Sequence, residues 1–597
     1  MSSMDPKRLA VAIGISIAIL LLFELFVQGP AREVQRARQA EATAIREAEE
    51  QAARAAAERA RAAATPGDSA REAVRTTPDL RVRIEAPRVQ GQLNLTGARI
   101  DDLVLRDFGE TVERDSPRVR LLSPRNSAEP YFAQFGWTVS TEGRPVRVPD
   151  VNTAWNTSAS ALTPGSPVTL WWENGEGQRF ELIFSIDNDF MFRVEQRVVN
   201  SAAEPIQVTP WGRIRREYTP PTGGYYILHE GLVGVVGGTL REFTYRNARD
   251  EAAKTVEGRP PNTVFSQATT GGWGGITDKY WLTALIPDQA VEATVAFRFT
   301  PEDGKDRWQV DFLAPAKEVR TGQANSSTSH FFAGAKEVRL LDRYAAALHI
   351  DGFYRAIDWG WFEFLTRPIF FALDYIFLLI GNFGFSILIF TLFVKALFFP
   401  LANKSYRSMA KMKALQPKMA ELKERFSDDA QAMQREMMAL YKREKVNPVS
   451  GCLPIAIQIP VFFSLYKVLV VTIEMRHAPF VLWIRDLSAP DPTNVFNLFG
   501  LIPFDPTTLP MFGHFLHLGV FPLLMGLTMW LQQRLNPQPT DPVQAKVFAW
   551  MPVIFTFMLG TQPAGLVIYW AWNNLLSIGQ QWLIMKRAGI AHPIATT

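Results

Sequence analysis

Apolar runs in the second half of the chain constrain its fold more than any other feature. The chain has 597 residues, and from about Trp359 onward long apolar stretches alternate with charged segments. A helix needs about 20 consecutive apolar residues to cross the hydrocarbon core of a membrane. The stretches that approach this length lie at about 383–401, 452–471, 517–531, 547–560 and 566–585. The second half therefore predicts a helical membrane domain.

A further apolar run lies at the N-terminus, where residues 9–27 follow Lys7 and Arg8. At about 1.5 Å per residue this run measures roughly 28 Å, which just crosses a bilayer. A cleaved signal peptide is the alternative, but its apolar core would be unusually long and would lack a good cleavage site. We therefore predict an uncleaved anchor over residues 1–30, which makes six spans in all.

Two polar regions separate the anchor from the other spans. Residues 31–78 begin with a tract of Ala, Arg, Glu and Gln, which favours a solvated helical linker without an apolar stripe. Over residues 79–345, short runs of β-branched and aromatic residues alternate with Gly, Pro, Asn and Asp. No helical periodicity lies between these runs, so this region predicts one large antiparallel β-sandwich.

Composition excludes several classes of protein. Lys and Arg total 63 against 59 Asp and Glu, a balance that does not indicate binding to a specific nucleic acid sequence. The single cysteine, Cys452, excludes an intramolecular disulfide. The chain contains neither a phosphate-binding P-loop motif nor a zinc-protease motif. His229 and His330 of the β region lie far apart in sequence. We expect no catalytic residues, no metal site and no cofactor.

The distribution of Lys and Arg predicts the orientation of the spans. Positive residues concentrate in the segment after the second span, in the link after the fourth span and in the C-terminal tail. By the positive-inside rule these parts and both termini are cytoplasmic and the β-sandwich lies on the outer side, which is the periplasm if the cell is a Gram-negative bacterium. The remaining predicted segments are an interfacial amphipathic helix at 346–381, the second span at 382–402, a cytoplasmic hairpin of two helices at 403–449, spans three to six at 450–588 with a periplasmic loop at 474–515, and a tail at 589–597.

Lys395 interrupts the apolar run of the second span. A charged side chain near the centre of a bilayer costs roughly 2.5–3.5 kcal/mol on insertion scales. The lysine could snorkel towards the interface near Lys404, or it could line a wet cavity that opens to the cytoplasm. Polar residues in the same and neighbouring spans favour the cavity. They are Thr391, Gln458, Ser464, Tyr466, Lys467, Tyr569, Asn573 and Asn574.

Methionines form part of the apolar faces of the predicted cytoplasmic hairpin. They recur at three- and four-residue spacing, which is typical of one face of a helix. A flexible thioether adapts to many apolar surfaces, so we expect these side chains to capture incoming apolar segments. The methionines are Met409, Met412, Met433 and Met437.

Several stretches of the second half carry a specific resemblance to a known family. They are NFGFSILIFTLFVKALFFPL, SMAKMKALQPKMAELKERF, EMMALYKREKVNPVSGCLPIAIQIPVFFSLY, DPVQAKVFAWMPVIFTFML and PAGLVIYWAWNNLLSIGQQWLI. Together, over residues 359–585, they resemble the YidC family of membrane protein insertases. The stretch GGWGGITDKYWLTALIP resembles, more loosely, the periplasmic domain of the Gram-negative members, which is similar to sugar-mutarotase supersandwiches.

The resemblance implies a multidomain membrane protein of the bacterial inner membrane. Its α-helical six-span membrane domain would be joined to a periplasmic antiparallel β-supersandwich. It would act not as an enzyme but as an insertase and chaperone, moving hydrophobic segments of nascent membrane proteins from the cytoplasm into the membrane. The resemblance further implies that it works alone or with the Sec translocon, and that its other partners are membrane lipids and, transiently, the ribosome.

The family also has a hydrophilic groove with one arginine at its centre. At that position this sequence has Lys395 instead, which is a departure, as is the long linker at 31–78. A lysine keeps a positive charge in a wet groove but cannot grip a carboxylate in bidentate fashion. The predicted groove residues are Lys395, Thr391, Gln458, Ser464, Tyr466, Tyr569 and Asn573.

Two other functions remain open from the residues alone. A secondary transporter could bind its substrate at Lys395, although no inverted repeat is visible among the spans. A sugar-binding envelope protein could use the β-sandwich and keep the spans as an anchor, but five of the spans would then have no purpose.

Overall fold

The computed structural model describes residues 80–139, 146–222, 228–426, 429–444, 453–509, 513–536 and 542–587. The predicted anchor at 1–30, the linker at 31–78 and the tail at 589–597 lie outside these residues. Of the described residues, Glu421–Glu436 and 542–543 fall in one compact unit and all others fall in a second. The β-sandwich and the two cavities described below belong to the second unit.

Within the described residues, twenty strands precede most of the helices. They are β1 (Arg81–Glu85), β2 (Val89–Asn94), β3 (Arg99–Gly109), β4 (Arg118–Leu122), β5 (Tyr131–Val139), β6 (Asn156–Thr157), β7 (Ala161–Leu162), β8 (Val168–Glu173), β9 (Gln178–Ile186), β10 (Met191–Asn200), β11 (Ile206–Arg216), β12 (Gly231–Val236), β13 (Thr239–Thr244), β14 (Thr263–Thr270), β15 (Trp273–Thr277), β16 (Trp281–Ile286), β17 (Glu292–Glu302), β18 (Lys305–Leu313), β19 (Lys317–Val319) and β20 (Gln323–Ala335).

The strands form two sheets. The order in the larger sheet is β14-β17-β18-β11-β5-β3-β2-β1-β7, with β19 paired to β11 and β4 paired to β3. The order in the smaller sheet is β13-β12-β15-β16-β20-β10-β9-β8-β6. The strand pairs of the described residues are antiparallel except for β1 with β7, where Arg83 and Ile84 pair in parallel with Ala161 and Leu162.

Alternation of side chains along the strands builds the core between the sheets. Along β10, Phe192 and Val194 are buried, whereas Arg193 is exposed, as the two-residue period of a strand requires. From the larger sheet, Phe135 places its ring 6.3 Å from that of Phe184 and 6.4 Å from that of Phe331, both in the smaller sheet. The predicted antiparallel β-sandwich is confirmed.

Helices make up most of the described chain after the last strand. The described helices are α1 (Tyr245–Ala252), α2 (Val338–Ala347), α3 (Glu363–Ile380), α4 (Phe383–Leu397), α5 (Phe399–Ala414), α6 (Gln416–Arg425), α7 (Ala430–Arg443), α8 (Leu453–Val471), α9 (Val520–Leu535), α10 (Pro542–Leu559) and α11 (Ala564–Arg587). The last described helix, α11, packs against α4, α5, α8 and α9.

Length and hydropathy together do not mark any single described helix as one that could cross a membrane. The consecutive helices α4 and α5 satisfy the criterion as a pair, but they are bent by 68° at the break between them. Shorter apolar stretches occur at Gln458–Val471 in α8 and at Ala545–Leu559 in α10.

Over the single helix predicted at 346–381 the structure has the end of α2, a short 3₁₀ helix at Phe353–Ala356 and the longer helix α3. Gly352 and Gly360 have φ of 61° and 71°, left-handed values that interrupt a helix and that glycine adopts without steric cost. The chain before α3 is therefore irregular. In it the side chain of Trp359 is buried, with 3% of its surface exposed, whereas that of Trp361 is 97% exposed. The two tryptophans therefore lie in different environments.

The predicted boundary between the span at 382–402 and the hairpin at 403–449 falls inside a helix. The α4 helix ends at Leu397 and α5 begins at Phe399, with Pro400 in its first turn. A proline disfavours the helical conformation of the residue before it and cannot donate a backbone hydrogen bond, so the bend lies at this point. The hairpin segment contains α6, α7 and most of α5, where the sequence predicted two helices.

Candidate functional site

Lys395 lies near the end of α4, and its ammonium group is bonded to α11. Lys395 Nζ donates to Ser577 Oγ at 2.8 Å. Ser577 Oγ donates in turn to the backbone carbonyl of Asn573, one helical turn earlier, at 2.8 Å. The ammonium group is thus held by the neighbouring helix.

Five of the predicted groove residues line one small cavity. Thr391 and Lys395 come from α4, Gln458 from α8, and Tyr569 and Asn573 from α11. The space that these side chains surround is too narrow to admit a water molecule. Three helices therefore bring the predicted polar residues together, but in this conformation they close on one another.

The polar side chains of this cavity form hydrogen bonds within and between the helices. Gln458 Nε2 donates to the hydroxyl of Tyr569, which ties α8 to α11. Thr391 Oγ1 donates to the backbone carbonyl of Ile387 at 2.6 Å. Asn573 Oδ1 is buried and has no hydrogen-bond partner among the described residues. A buried acceptor oxygen therefore lacks a donor among the described residues, although buried polar atoms are normally hydrogen-bonded.

Ser464 and Tyr466 do not join the cavity around Lys395. Six and eight residues after Gln458, they lie roughly 1.7 and 2.2 helical turns further along α8. Tyr466 donates its hydroxyl to Gln562 Oε1 at 3.0 Å. Ser464 lines a second cavity, together with Lys467 of the same helix.

The second cavity has a volume of about 660 Å³ and lies where the β-sandwich meets α8 and the segment before α3. Lys467 Nζ forms an ion pair with Asp358 Oδ2 at 2.7 Å, and the two side chains are only 10% and 19% exposed. The backbone N–H of His229 donates to the same carboxylate at 2.9 Å. Burial lowers the pKa of His229 to about 4, so its ring is neutral at physiological pH. The ion pair therefore joins three separate parts of the chain.

The predicted capture methionines differ in exposure. Met409 is buried in a cluster with Tyr406 of its own helix and Ile584 of α11. Met412, Met433 and Met437 are half-buried. In this conformation Met409 is therefore not available to an incoming chain. The side chain of Met438 is more open, with 50% of its surface exposed.

Ser577 and Asp358 are functional candidates that the sequence did not reveal. Ser577 follows Asn573 by four residues, so the two share one face of α11, and this spacing could have identified it. The pairing of Asp358 with Lys467 joins residues more than 100 positions apart, which no local pattern signals. Within the described part of the chain, no cluster of His, Cys, Asp and Glu could hold a metal ion.

Comparison with known proteins covers nearly the whole chain. Residues 81–372 match the family model of the YidC periplasmic domain, and residues 375–590 match the model described as 60Kd inner membrane protein. The chain is 51% identical over 596 residues to the membrane protein insertase YidC of Granulibacter bethesdensis, covering 99% of both chains. It is 50% identical over 597 residues to the protein of the same name from Nitrobacter hamburgensis, covering 98% of this chain and 96% of that one.

A crystal structure described as an active YidC insertase with its first transmembrane domain resolved is 18% identical, covers 87% of this chain and 94% of that chain, and has a TM-score of 0.35. The relatives at half identity extend over both the β-sandwich and the helices. The two family models likewise follow one another along the chain, the first over the sandwich and the second over the helical part. The chain therefore belongs to the YidC family of membrane protein insertases.

Proposed function

We propose that the protein is a membrane protein insertase of the inner membrane, and that Lys395 is the centre of its insertion site. Its relatives at half identity carry the name of membrane protein insertase. The observation that carries the site is the cavity where α4, α8 and α11 place polar side chains around one ammonium group. The clients are membrane proteins, whose apolar segments leave the cytoplasm for the lipid.

The obstacle to insertion is the polar flank of each apolar segment, because that flank must cross the hydrocarbon layer. A polar cavity partway across shortens the dry distance that the flank must travel. The ammonium group of Lys395 attracts acidic residues in the flank, and its present partner, Ser577, is a neutral hydroxyl that a carboxylate can replace. Release of the apolar segment into lipid supplies free energy through burial of its apolar surface.

Opening of the cavity is a required step, since its gaps are too narrow for water. Separation of α4 from α11 breaks the bond between Lys395 and Ser577, and separation of α8 from α11 breaks the bond between Gln458 and Tyr569. Ser577 keeps its bond to the carbonyl of Asn573 when Lys395 leaves, and polar groups of a client can replace the bonds that Lys395 and Gln458 lose. After the cavity has opened, Ser464 and Tyr466 contact the client further along α8.

A lysine at this position works as a point charge. An ammonium group offers three donors and no planar fork, so it holds a carboxylate less rigidly than a guanidinium group does. A membrane potential that is negative inside adds about 2.3 kcal/mol per charge per 100 mV in favour of moving an acidic flank outward. We therefore expect the charge of residue 395, rather than its exact shape, to matter for acidic flanks.

The cytoplasmic hairpin captures the client before insertion. The hairpin at 403–449 receives the client through Met412, Met433 and Met437, and through Met409 after it leaves its cluster with Ile584.

Both termini lie in the cytoplasm, the protein works alone or with the Sec translocon, and it contacts ribosomes transiently. A secondary transporter with a substrate site at Lys395 has no support from the relatives, which are insertases.

Insertion into liposomes tests the site. The purified protein is reconstituted, and two versions of a short Sec-independent substrate are supplied, one with an acidic flank and one with a neutral flank. We expect Lys395→Arg to insert both as the original protein does. We expect Lys395→Ala to insert the acidic version several-fold less well and the neutral version nearly normally, because only the acidic flank needs the charge.

Two results would count against the proposal in different ways. Equal insertion of both substrates by Lys395→Ala would remove the charge of Lys395 from the mechanism but leave the insertase function intact. Failure of the unmodified protein to insert either substrate in the absence of other proteins would contradict the autonomous insertase activity itself. Ser577→Ala is the matched variant, since it removes the present partner of the amine but keeps the charge.

A further inference from the structure

Large apolar side chains are exposed in the loop between α8 and α9, residues 474–515, at a density unlike that of the β-sandwich. In the described part of this loop nine large apolar residues are exposed, against four in the described part of residues 80–345. Leu482 is 79% exposed and Leu501 is 83% exposed. Such a patch on a folded protein marks an interaction surface.

These side chains form two tips. The first is the turn of Val481 and Leu482, and the second runs from Phe496 to Phe504. The second tip contains no charged residue, and the nearest charges on either side are Asp491 and Asp505. Its exposed apolar residues are Phe496, Leu498, Phe499, Leu501, Ile502 and Phe504.

Three of the exposed residues are held in a backbone conformation that suits glycine. Leu482, Leu498 and Phe499 have φ of 59°, 50° and 61°. Side chains with a β-carbon are strained in this region, and large apolar ones are unusual there. Glycine would relieve the strain at each position, so the presence of Leu and Phe indicates that their side chains serve a purpose.

Several backbone polar groups of the second tip are hydrogen-bonded within the tip, as contact with an apolar medium requires. Phe499 N donates to the carbonyl of Asn494 at 2.9 Å, and Ile502 N donates to the carbonyl of Asn497 at 3.1 Å. Gly500 N donates to Asn497 Oδ1 at 2.9 Å. Hydrocarbon cannot satisfy polar backbone groups, so a segment that enters it must bond them internally.

The base of the second tip is firmly fixed. Asp491 is 1% exposed and accepts hydrogen bonds from Trp483 Nε1 at 3.0 Å and from the backbone N–H of Phe521, in α9, at 2.9 Å. Asn494 Nδ2 donates to the carbonyl of Leu516 at 2.7 Å. The apolar tip is therefore presented by a buried polar base rather than left on a loose loop.

We infer that the tips at 481–482 and 496–504 insert into the outer leaflet of the inner membrane and contact lipid hydrocarbon. The loop connects two helices of the membrane domain, so it starts and ends beside the lipid. The absence of charge within the second tip fits hydrocarbon, and the exposed carboxylate of Asp505, directly after the tip, limits how far it enters. This inference rests on membership of the insertase family and not on the role of Lys395.

Spin-label accessibility tests the inference on the full-length protein in liposomes of phosphatidylethanolamine and phosphatidylglycerol. Cys452→Ser removes the only native thiol, and a nitroxide is attached to Leu501→Cys or, as an aqueous reference on the β-sandwich, to Lys305→Cys. We expect the ratio of relaxation by oxygen to relaxation by a water-soluble nickel chelate to be several-fold higher at residue 501. Oxygen concentrates in hydrocarbon, whereas the chelate stays in water.

Two outcomes would overturn the inference. A ratio at residue 501 equal to that at residue 305 would place the tip in water. A label at 501 shielded from both reagents would place the tip against protein. Leu482→Cys repeats the measurement on the first tip and replaces the first variant if Leu501→Cys does not fold. Insertion activity of the same liposomes is recorded separately, so a failure of the proposed function is distinguished from a failure of lipid contact.

Discussion

Glu474 is a buried carboxyl group just after α8 that receives a hydrogen bond from the first residue of α2. Its Oε1 accepts from the backbone N–H of Val338 at 2.9 Å, and its Oε2 is buried with no partner in the described part of the chain. Burial raises the pKa of Glu474 from 4.5 to about 7, and the nearby charges of Glu337 and Asp374 add to the rise. The free energy of unfolding is therefore coupled to pH through this carboxyl group.

We expect stability to fall as pH rises from about 4.5 to about 7, because in this window folded Glu474 keeps a proton that the unfolded chain has lost. The full shift corresponds to roughly 3 kcal/mol of unfolding free energy at about 1.4 kcal/mol per pKa unit. Glu474→Gln has no proton to lose, so it should be more stable than the original protein at pH 8 and similar at pH 5. Thermal unfolding in detergent at the two pH values measures this. An identical pH dependence in both proteins would contradict the assignment.

At the scale of elements, the ion pair of Lys467 and Asp358 fastens α8 to the segment before α3. The two side chains are mostly buried, and Gly360 N also donates to Asp358 Oδ1, at 3.1 Å. We expect Lys467→Met to destabilise the protein by about 3–5 kcal/mol, since it leaves a buried carboxylate without a cationic partner. The double variant with Asp358→Asn should recover most of this loss. Thermal unfolding of the three proteins forms the test, and additive losses in the double variant would show that the pair is not coupled.

At the scale of the whole molecule, Arg476 connects the loop after α8 to the β-sandwich. Its guanidinium group donates to the carbonyl oxygens of Gly109 and Glu110 at 2.8 and 3.1 Å and lies 5.3 Å from the ring of Trp281. We expect Arg476→Ala to speed hydrogen exchange of backbone amides near residue 110 by about tenfold, as loss of a charge-assisted hydrogen bond of roughly 1.5 kcal/mol predicts. Hydrogen exchange with mass spectrometry measures this.

Arg485 in the same loop provides the control for this prediction. Arg485 Nη1 lies 3.7 Å from Glu113 Oε1, and both side chains are largely exposed. Exposed ion pairs contribute little to stability, so Arg485→Ala should leave the exchange near residue 110 unchanged. Equal acceleration by the two variants would mean that general loosening of the loop, and not the contact of Arg476, controls this part of the β-sandwich.

The sequence predicted some parts of the fold and site well, for physical reasons that act locally. Alternating burial along strands such as β10 is visible in the order of residues, so the β-sandwich was predictable. Lys395 stood out because a charge within an apolar run is costly. The limits of α3 and α4 were not predictable, since they depend on Gly352 and Gly360 in left-handed conformation and on the bend before Pro400.

The order of residues along the chain was enough to predict the class of the protein, its division into a β-sandwich and a helical part, and the residue types that could meet around Lys395. Which of these residues do meet depends on how the helices pack. Gln458 and Tyr569 are bonded across α8 and α11, whereas Ser464 turns to another cavity. This packing also makes Ser577 the partner of Lys395. Periodicity fixes which face of a helix a side chain occupies, but the neighbour of that face depends on packing between segments distant in sequence, which no local pattern encodes.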